Sequence, residues 1–220
     1  MFTLSEENYL KTIYHLGLNS EIGVSTNEIA KKMQTKASSV TDMIKKLSDK
    51  NLVVYKKYKG VRITDFGRNT AANIVRKHRL WEVFLVEKLN FSWDEVHEVA
   101  EQLEHIKSPK LINELDALLG FPKQDPHGDP IPDAKGEITT KDLSISLSNT
   151  EEGNVYLISR LMSDDKEFFD FCGQHGLKYG NTVLVSKQFS KNKMTQILIK
   201  NNTILLNEDF TSIIYVNEQD

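Results

Sequence analysis

The stretch His97-Glu-Val-Ala-Glu-Gln-Leu-Glu-His105 gathers more metal-binding chemistry than any other segment of this sequence. Read as a helix turning about 100° per residue, it places His97, Glu101, Glu104 and His105 on one arc. Val96, Val99, Ala100, Leu103 and Ile106 fall on another, so one face can be buried while the other presents carboxylates and imidazoles. That combination is a ligand set for first-row divalent metals. An ordinary solvated face accounts for the same residues, because Glu95, Glu98 and Gln102 extend the polar side. The zinc-protease H-E-x-x-H motif is excluded, since His97-Glu-Val-Ala ends on Glu101 and lacks its second imidazole.

His78 and Glu82, at i and i+4, project from one face of a long helix expected from Thr64-Asp65 to about Leu89. Alone they read as a surface ion pair; beside the His97–His105 face they suggest a second metal position. Ser92-Trp-Asp-Glu95 is a capping box for the helix of the first face. Ser108-Pro109 opens the following one, with proline where its missing N–H costs nothing. The long helix carries Ile74, Val75, Trp81, Phe84, Leu85 and Leu89, more apolar surface than one small domain needs, and so implies a two-fold dimer.

Upstream, Ser5 with Glu6 and Glu7 is a good helix start, followed by Tyr9, Ile13 and Leu16 as a buried stripe. Ser25-Thr-Asn-Glu28 is a capping box for a short helix to Met33. A tight turn at Gln34-Thr-Lys36 leads into a second helix, Ala37–Asn51, with Val40, Ile44 and Leu47 inward. Two short helices joined by a three-residue turn form a helix-turn-helix. The outward face of the second carries Ser38, Ser39, Thr41, Asp42, Lys45 and Lys46, preceded by Lys36, groups able to reach base edges and phosphates. Val53-Val-Tyr55 and Val61-Arg-Ile-Thr64 read as two strands around a basic hairpin whose Lys57 and Lys59 would contact phosphate. The alternative is a small helical domain with a solvated basic hairpin.

Charge distribution agrees with a polyanion-binding amino-terminal third. Residues 1–72 hold 12 Lys/Arg against 7 Asp/Glu, residues 73–150 hold 9 against 14, and residues 151–220 hold 7 against 10. The net charge of −3 conceals that asymmetry. A lone cysteine, Cys172, excludes an internal disulfide framework. The chain opens without the basic and apolar regions of a signal peptide and holds no apolar run of the roughly 20 residues a membrane span needs, so a cytoplasmic protein is expected. No nucleophile–base pair or phosphate loop is present, so an enzyme is not expected. The rival from that class is a two-metal hydrolase with its ligands between helices. The rival among regulators is a winged-helix protein with an inert carboxylate face.

Four segments make the sequence similar to a known family: Asn8-Tyr-Leu-Lys-Thr-Ile-Tyr14, Ser38-Ser-Val-Thr-Asp-Met-Ile-Lys-Lys-Leu47, Arg76-Lys-His-Arg-Leu80 and Val96–His105. They resemble the diphtheria toxin repressor family, and the likeness covers nearly the whole chain. The resemblance implies a homodimeric winged-helix repressor of palindromic operators, switched on by a divalent metal and controlling metal uptake. It implies a primary metal site of Asn8, Glu101, Glu104 and His105. The ancillary site would be built from His78, Glu82 and His97, with Asp125, His127 and Asp165 as further ligands. Iron-responsive members carry Met on the first helix and Cys where this chain has Glu101, so its oxygen ligands resemble the manganese-responsive branch. Mn2+ is therefore the expected metal, with Fe2+ the alternative and two sites per subunit. That branch has Asp where this chain has Asn8, and often an acidic residue where it has Lys11.

Phe121 to Pro132 holds four prolines in a dozen residues and is irregular. Asp125-Pro-His-Gly is within it, readable equally as a ligand loop or as a turn. From Asn154 the pattern changes to period two over five short strands with one helix, Asp164–His175, which suits a small closed barrel. The expected class is α+β: a winged helix-turn-helix over 1–72, a helical dimerisation domain over 73–136, a linker over 137–152 and an SH3-like barrel of the FeoA type over 153–220.

Overall fold

The computed structural model describes residues 2–18, 23–56, 59–93, 95–138, 143–163 and 165–219. Lys57, residues 139–142 of the expected linker and Asp164 lie outside them. The chain divides into two compact units, the first comprising residues 1–78, 101–115 and 132–139, the second residues 79–100, 116–131 and 140–220.

In the first unit, helix α1 spans Leu4–Gly17. Its cap is Thr3 rather than Ser5: the Glu6 N–H donates to Thr3 Oγ1 at 3.2 Å, and the Thr3 N–H donates to Glu6 Oε2 at 2.9 Å. This capping box satisfies two amides that an uncapped helix leaves without partners. Helix α2, Thr26–Lys32, starts at the expected Ser25–Glu28 box, and α3 runs Ala37–Asp49. Between them Gln34 takes a left-handed conformation at φ 49°, which gives the turn its sharpness. Strands β1 (Val53–Lys56) and β2 (Gly60–Ile63) pair antiparallel, Val53 opposite Ile63. Val24 adds a third rung against Val61. Gly60 is required there: at φ +70° a Cβ would lie 2.5 Å from the Val24 carbonyl oxygen. Leu10, Ile13, Ile29, Val40, Ile44, Leu47, Leu52 and Val61 share one buried cluster, each such side chain contributing about 1.5–3 kcal/mol by leaving water. The cluster fixes α3 with its polar face outward.

Helix α4, Asp65–Leu89, starts at Thr64, whose Oγ1 accepts the Gly67 N–H at 2.9 Å. Its residues through His78 belong to the first unit and those from Arg79 to the second. Helix α5 covers Val96–Leu103 and α6 covers Pro109–Leu118. The sequence reading extends a single helical face to His105; in the structure Glu104 and His105 form a turn after α5. Glu104 is consequently turned inward and is fully buried.

The second unit holds a six-stranded antiparallel sheet in the order β3-β8-β4-β5-β6-β7. The strands are β3 (Ile145–Ser146), β4 (Val155–Leu161), β5 (Thr182–Phe189), β6 (Met194–Ile199), β7 (Asn202–Asn207) and β8 (Ile214–Glu218). Five of them match the expected pattern. The sixth, β3, lies within the stretch read as a linker, where Leu147 just after it is fully buried in the barrel core. Bulges between Ile158 and Arg160 and between Val185 and Lys187 break the register and bend the sheet around that core. Helix α7, Lys166–His175, packs Phe168, Phe169 and Cys172 into it and ends on Gly176 in the left-handed conformation. The short α8, Glu208–Thr211, precedes β8. Among the described residues no helix is long and apolar enough to cross a membrane.

Candidate metal centres

Each unit contains its own group of acids and imidazoles. In the first, Glu104 is fully buried and Glu101 half-buried. The His78 Nδ1 atom lies 2.7 Å from Glu104 Oε2, so the imidazole expected in the ancillary set stands beside a primary-set carboxylate. His105 Nδ1 lies 2.6 Å from Glu7 Oε2, and its Nε2 is 3.8 Å from Glu104 Oε1. Burial by itself would raise the Glu104 pKa, but the His78 hydrogen bond and the Lys11 charge outweigh it and hold the group below the ordinary carboxylate value. Asn8 Oδ1 is a buried oxygen without a hydrogen-bond partner among the described residues. A buried oxygen without a partner, on the helix that carries Glu7 and Lys11 to this group, fits a hard cation.

That group also contains a cation of its own. The Lys11 ammonium donates to Glu101 Oε1 at 2.5 Å and to Glu104 Oε1 and Oε2 at 2.8 Å each. Lys11 is one helical turn from Asn8 and Glu7 on α1, a spacing that the sequence displays but whose partners it does not.

In the second unit, Glu82, Asp125 and His127 offer ligand atoms that all lie within 4.8 Å of one another, and all three side chains are buried. Glu82 comes from α4, and the other two from the proline-rich loop. That loop is more ordered than its composition suggests. Asp125 Oδ1 accepts the backbone N–H of His127 at 2.8 Å and of Asp129 at 3.0 Å, and the His127 carbonyl accepts the Leu161 N–H at 2.9 Å. His127 Nε2 lies 2.7 Å from the Trp93 carbonyl oxygen. Since a carbonyl only accepts, Nε2 carries the proton and Nδ1 faces Glu82 Oε2 at 3.7 Å and Asp125 Oδ1 at 4.0 Å. A backbone partner on one ring nitrogen is the usual means of orienting the other towards a metal. Phe169 stacks on the imidazole with ring centres 4.5 Å apart. His97 Nδ1, 3.3 Å from Glu82 Oε1, adds a fourth possible donor.

Burial and mutual charge shift the titration of this second group. Burial, then the nearby Glu82 charge, pushes the Asp125 carboxyl up to about 7. Burial opposes the His127 imidazolium, but the adjacent Glu82 and Asp125 carboxylates and the Trp93 carbonyl carry it up to about 9. Arg79 provides partial compensation, with Nε 3.5 Å from Asp125 Oδ2 and a hydrogen bond from its guanidinium to the Pro130 carbonyl. The donor set of carboxylates and imidazole fits manganese or ferrous iron and offers no sulfur. Asp165 stands apart from this group: it is exposed, and its Oδ1 accepts the Glu167 N–H at 3.0 Å as the N-cap of α7. Phe168, beside it, is buried in the barrel core.

The third surface of interest lies in the first unit. Lys36, Ser38, Ser39, Thr41, Asp42, Lys45, Lys46 and Lys59 are all exposed. The Thr41 hydroxyl donates back to the Ala37 carbonyl at 2.9 Å, and Lys45 pairs loosely with Asp42 at 3.7 Å.

A winged helix with an exposed polar face on its second helix, joined in one chain to carboxylate–imidazole groups and a FeoA-type barrel, defines a metal-responsive DNA-binding protein. Comparison with known proteins gives the same class. Residues 1–61 match the iron dependent repressor N-terminal DNA binding domain, residues 64–133 its metal binding and dimerisation domain, and residues 145–218 the FeoA domain. The chain belongs to the diphtheria toxin repressor family of dimerising, metal-dependent DNA-binding transcriptional repressors, in its long form with an SH3-like FeoA-type barrel, and this family is not one of enzymes. A solved structure described as a manganese-dependent transcriptional repressor in complex with manganese is 33% identical, with a TM-score of 0.87 over 97% of this chain and 100% of that one. The structure of ScaR with bound Cd2+ is 34% identical, with a TM-score of 0.85 over 97% and 99%. The iron-dependent repressor IdeR of Mycobacterium tuberculosis is 33% identical over 128 residues, which cover 57% of this chain. That match spans about half of the curated repressor, 54% of its length.

Proposed function

We propose that this chain is a manganese-responsive repressor that binds palindromic operators as a homodimer and controls metal uptake, with ferrous iron as the alternative effector. The observation that carries this reading is the buried Glu82–Asp125–His127 group. Three buried titratable side chains held together, two of them acids, are costly unless positive charge compensates them. In this reading Glu82, His97, Asp125 and His127 hold one ion, and Asn8, Glu101, Glu104 and His105 hold another. A bound divalent ion would neutralise the carboxylates and couple the folding of each pocket to metal. The residues themselves do the rest: Trp93 holds the His127 ring, and Asp125 fastens its own loop.

The exposed α3 face and Lys59 support a role in DNA contact, α3 for base edges and the hairpin for phosphate. The manganese named in the structural relative supports the choice of metal, as does a ligand set free of thiolate and thioether. The test is a DNA-binding titration of the full chain on its own upstream region with manganese, ferrous iron, zinc and no added metal. Manganese is expected to raise affinity at least about tenfold over the metal-free chain, within the usual range of allosteric coupling. Equal affinity with and without metal would overturn the proposal.

A further inference from the structure

The first-unit group differs from an ordinary metal pocket in one respect: Lys11 already sits where its acids converge. The ammonium contacts three carboxylate oxygens, one of Glu101 and both of Glu104. The side chain is 13% exposed and Glu104 fully buried, so water screens this contact little. Asn8, one turn away on the same helix, adds an oxygen without adding negative charge. A divalent ion approaching Glu101 and Glu104 therefore meets a resident positive charge bonded to both.

We propose that Lys11 is a tethered cation that competes with divalent metal for Glu101 and Glu104, so that the first-unit position loads only after the Glu82–Asp125–His127 position and the α1 contact to these acids is made without metal. This rests on the proposed metal-responsive reading and refines it. In the second-unit group Arg79 Nε stands 3.5 Å from Asp125 Oδ2, and His97 and His127 Nδ1 stand 3.3 and 3.7 Å from the Glu82 oxygens, all looser pairings than three ammonium contacts at 2.5–2.8 Å. The acids of the two positions are thus held unequally closely by their own cationic partners, and their order of loading follows.

The experiment counts manganese by electron paramagnetic resonance during titration of the metal-free full chain, comparing the parent with Lys11→Gln and Lys11→Arg. A His127→Ala background reports the first-unit position alone. Two separated binding steps are expected in the parent. Lys11→Gln should tighten the weaker step by at least about tenfold, because it removes one full charge at contact distance, whereas Lys11→Arg should leave it weak. A variant-free measurement runs beside it: in metal-free parent the Lys11 ammonium should give a protected 15N-detected signal, lost when diamagnetic zinc fills the weaker position. An unchanged weaker step in Lys11→Gln, or an ammonium signal indifferent to saturating zinc, would overturn the inference while leaving metal regulation intact. Absence of manganese binding at every position would instead overturn the metal-responsive reading, and this inference with it.

Discussion

The two acid groups solve the same electrostatic problem in different ways. In the first unit, Glu101 and Glu104 are met by an ammonium from α1, and Glu104 is held below its ordinary pKa despite complete burial. In the second, Glu82 and Asp125 share a pocket with His127, and the Asp125 carboxyl is pushed up to about 7. Both groups contain two carboxylates and at least one imidazole, so ligand type alone does not separate them. What separates them is a lysine. In the first group one ammonium contacts both acids at 2.5–2.8 Å, whereas in the second the positive partners, Arg79 and the His127 imidazole, stand 3.5 Å or more from Asp125 and Glu82.

The largest effect that could break this comparison comes from removing Glu104. Glu104→Ala leaves Lys11 with Glu101 alone and strips His78 of its carboxylate, and should destabilise the metal-free chain by about 3–5 kcal/mol. Thermal denaturation in the presence of chelator checks this, and a loss below about 1 kcal/mol would show that the buried pair is not a clamp. Next, Glu82→Gln keeps shape but removes a charge from the second group. Manganese affinity there should fall by about 100-fold or more, above the 10–100-fold typical of residues that only orient ligands; isothermal titration of the full chain measures it. The apo-state stability of Glu82→Gln should change little or rise, the opposite sign to Glu104→Ala.

A smaller effect concerns DNA. Lys59→Ala should weaken binding evenly across sequences and flatten the slope of log affinity against log salt by about one unit. Substitution at Ser38, Ser39 or Asp42 should change sequence preference instead. Binding measured on specific and scrambled duplexes from low to high salt distinguishes the two. The smallest expected effect is at Glu6, which caps α1 and receives the Lys50 ammonium at 2.7 Å. The Lys50 hydrogen bond, with the Thr3 amide, holds the Glu6 pKa below its ordinary value of 4.5. Its stabilisation is therefore present above pH 4.5 and is lost as pH falls through the lower folded value. Lys50→Ala should cost at most about 1 kcal/mol near pH 7, with the difference from the parent vanishing as the solution is acidified below that window.

Much of the architecture was legible in local sequence. The Ser25–Glu28 box, the Ala37 helix with its Val40, Ile44 and Leu47 stripe, the basic hairpin, the Asp65–Leu89 helix and the Gly176 stop all depend on neighbours a few residues apart. Short-range propensity determines such features whatever surrounds them. Three boundaries departed from expectation for equally physical reasons, among them the end of α5 at Leu103 instead of His105. Thr3 offers the capping box that Ser5 does not. The short β3 has no alternating pattern long enough to see and is a strand only because β8 pairs with it.

The ligand groups divide in the same way. Residue types and helical spacing singled out His97, Glu101, Glu104 and His105, and the His78–Glu82 pair, as metal chemistry, and resemblance added Asp125 and His127. Which of them stand together was settled by tertiary structure. The turn after Leu103 sends Glu104 inward to His78, and the Asp125 loop carries His127 back to Glu82. Lys11 reaches acids 90 and 93 residues away. A helix dictates its own faces through backbone geometry, but the charge opposite each face comes from another element, and only packing of the whole unit brings it there.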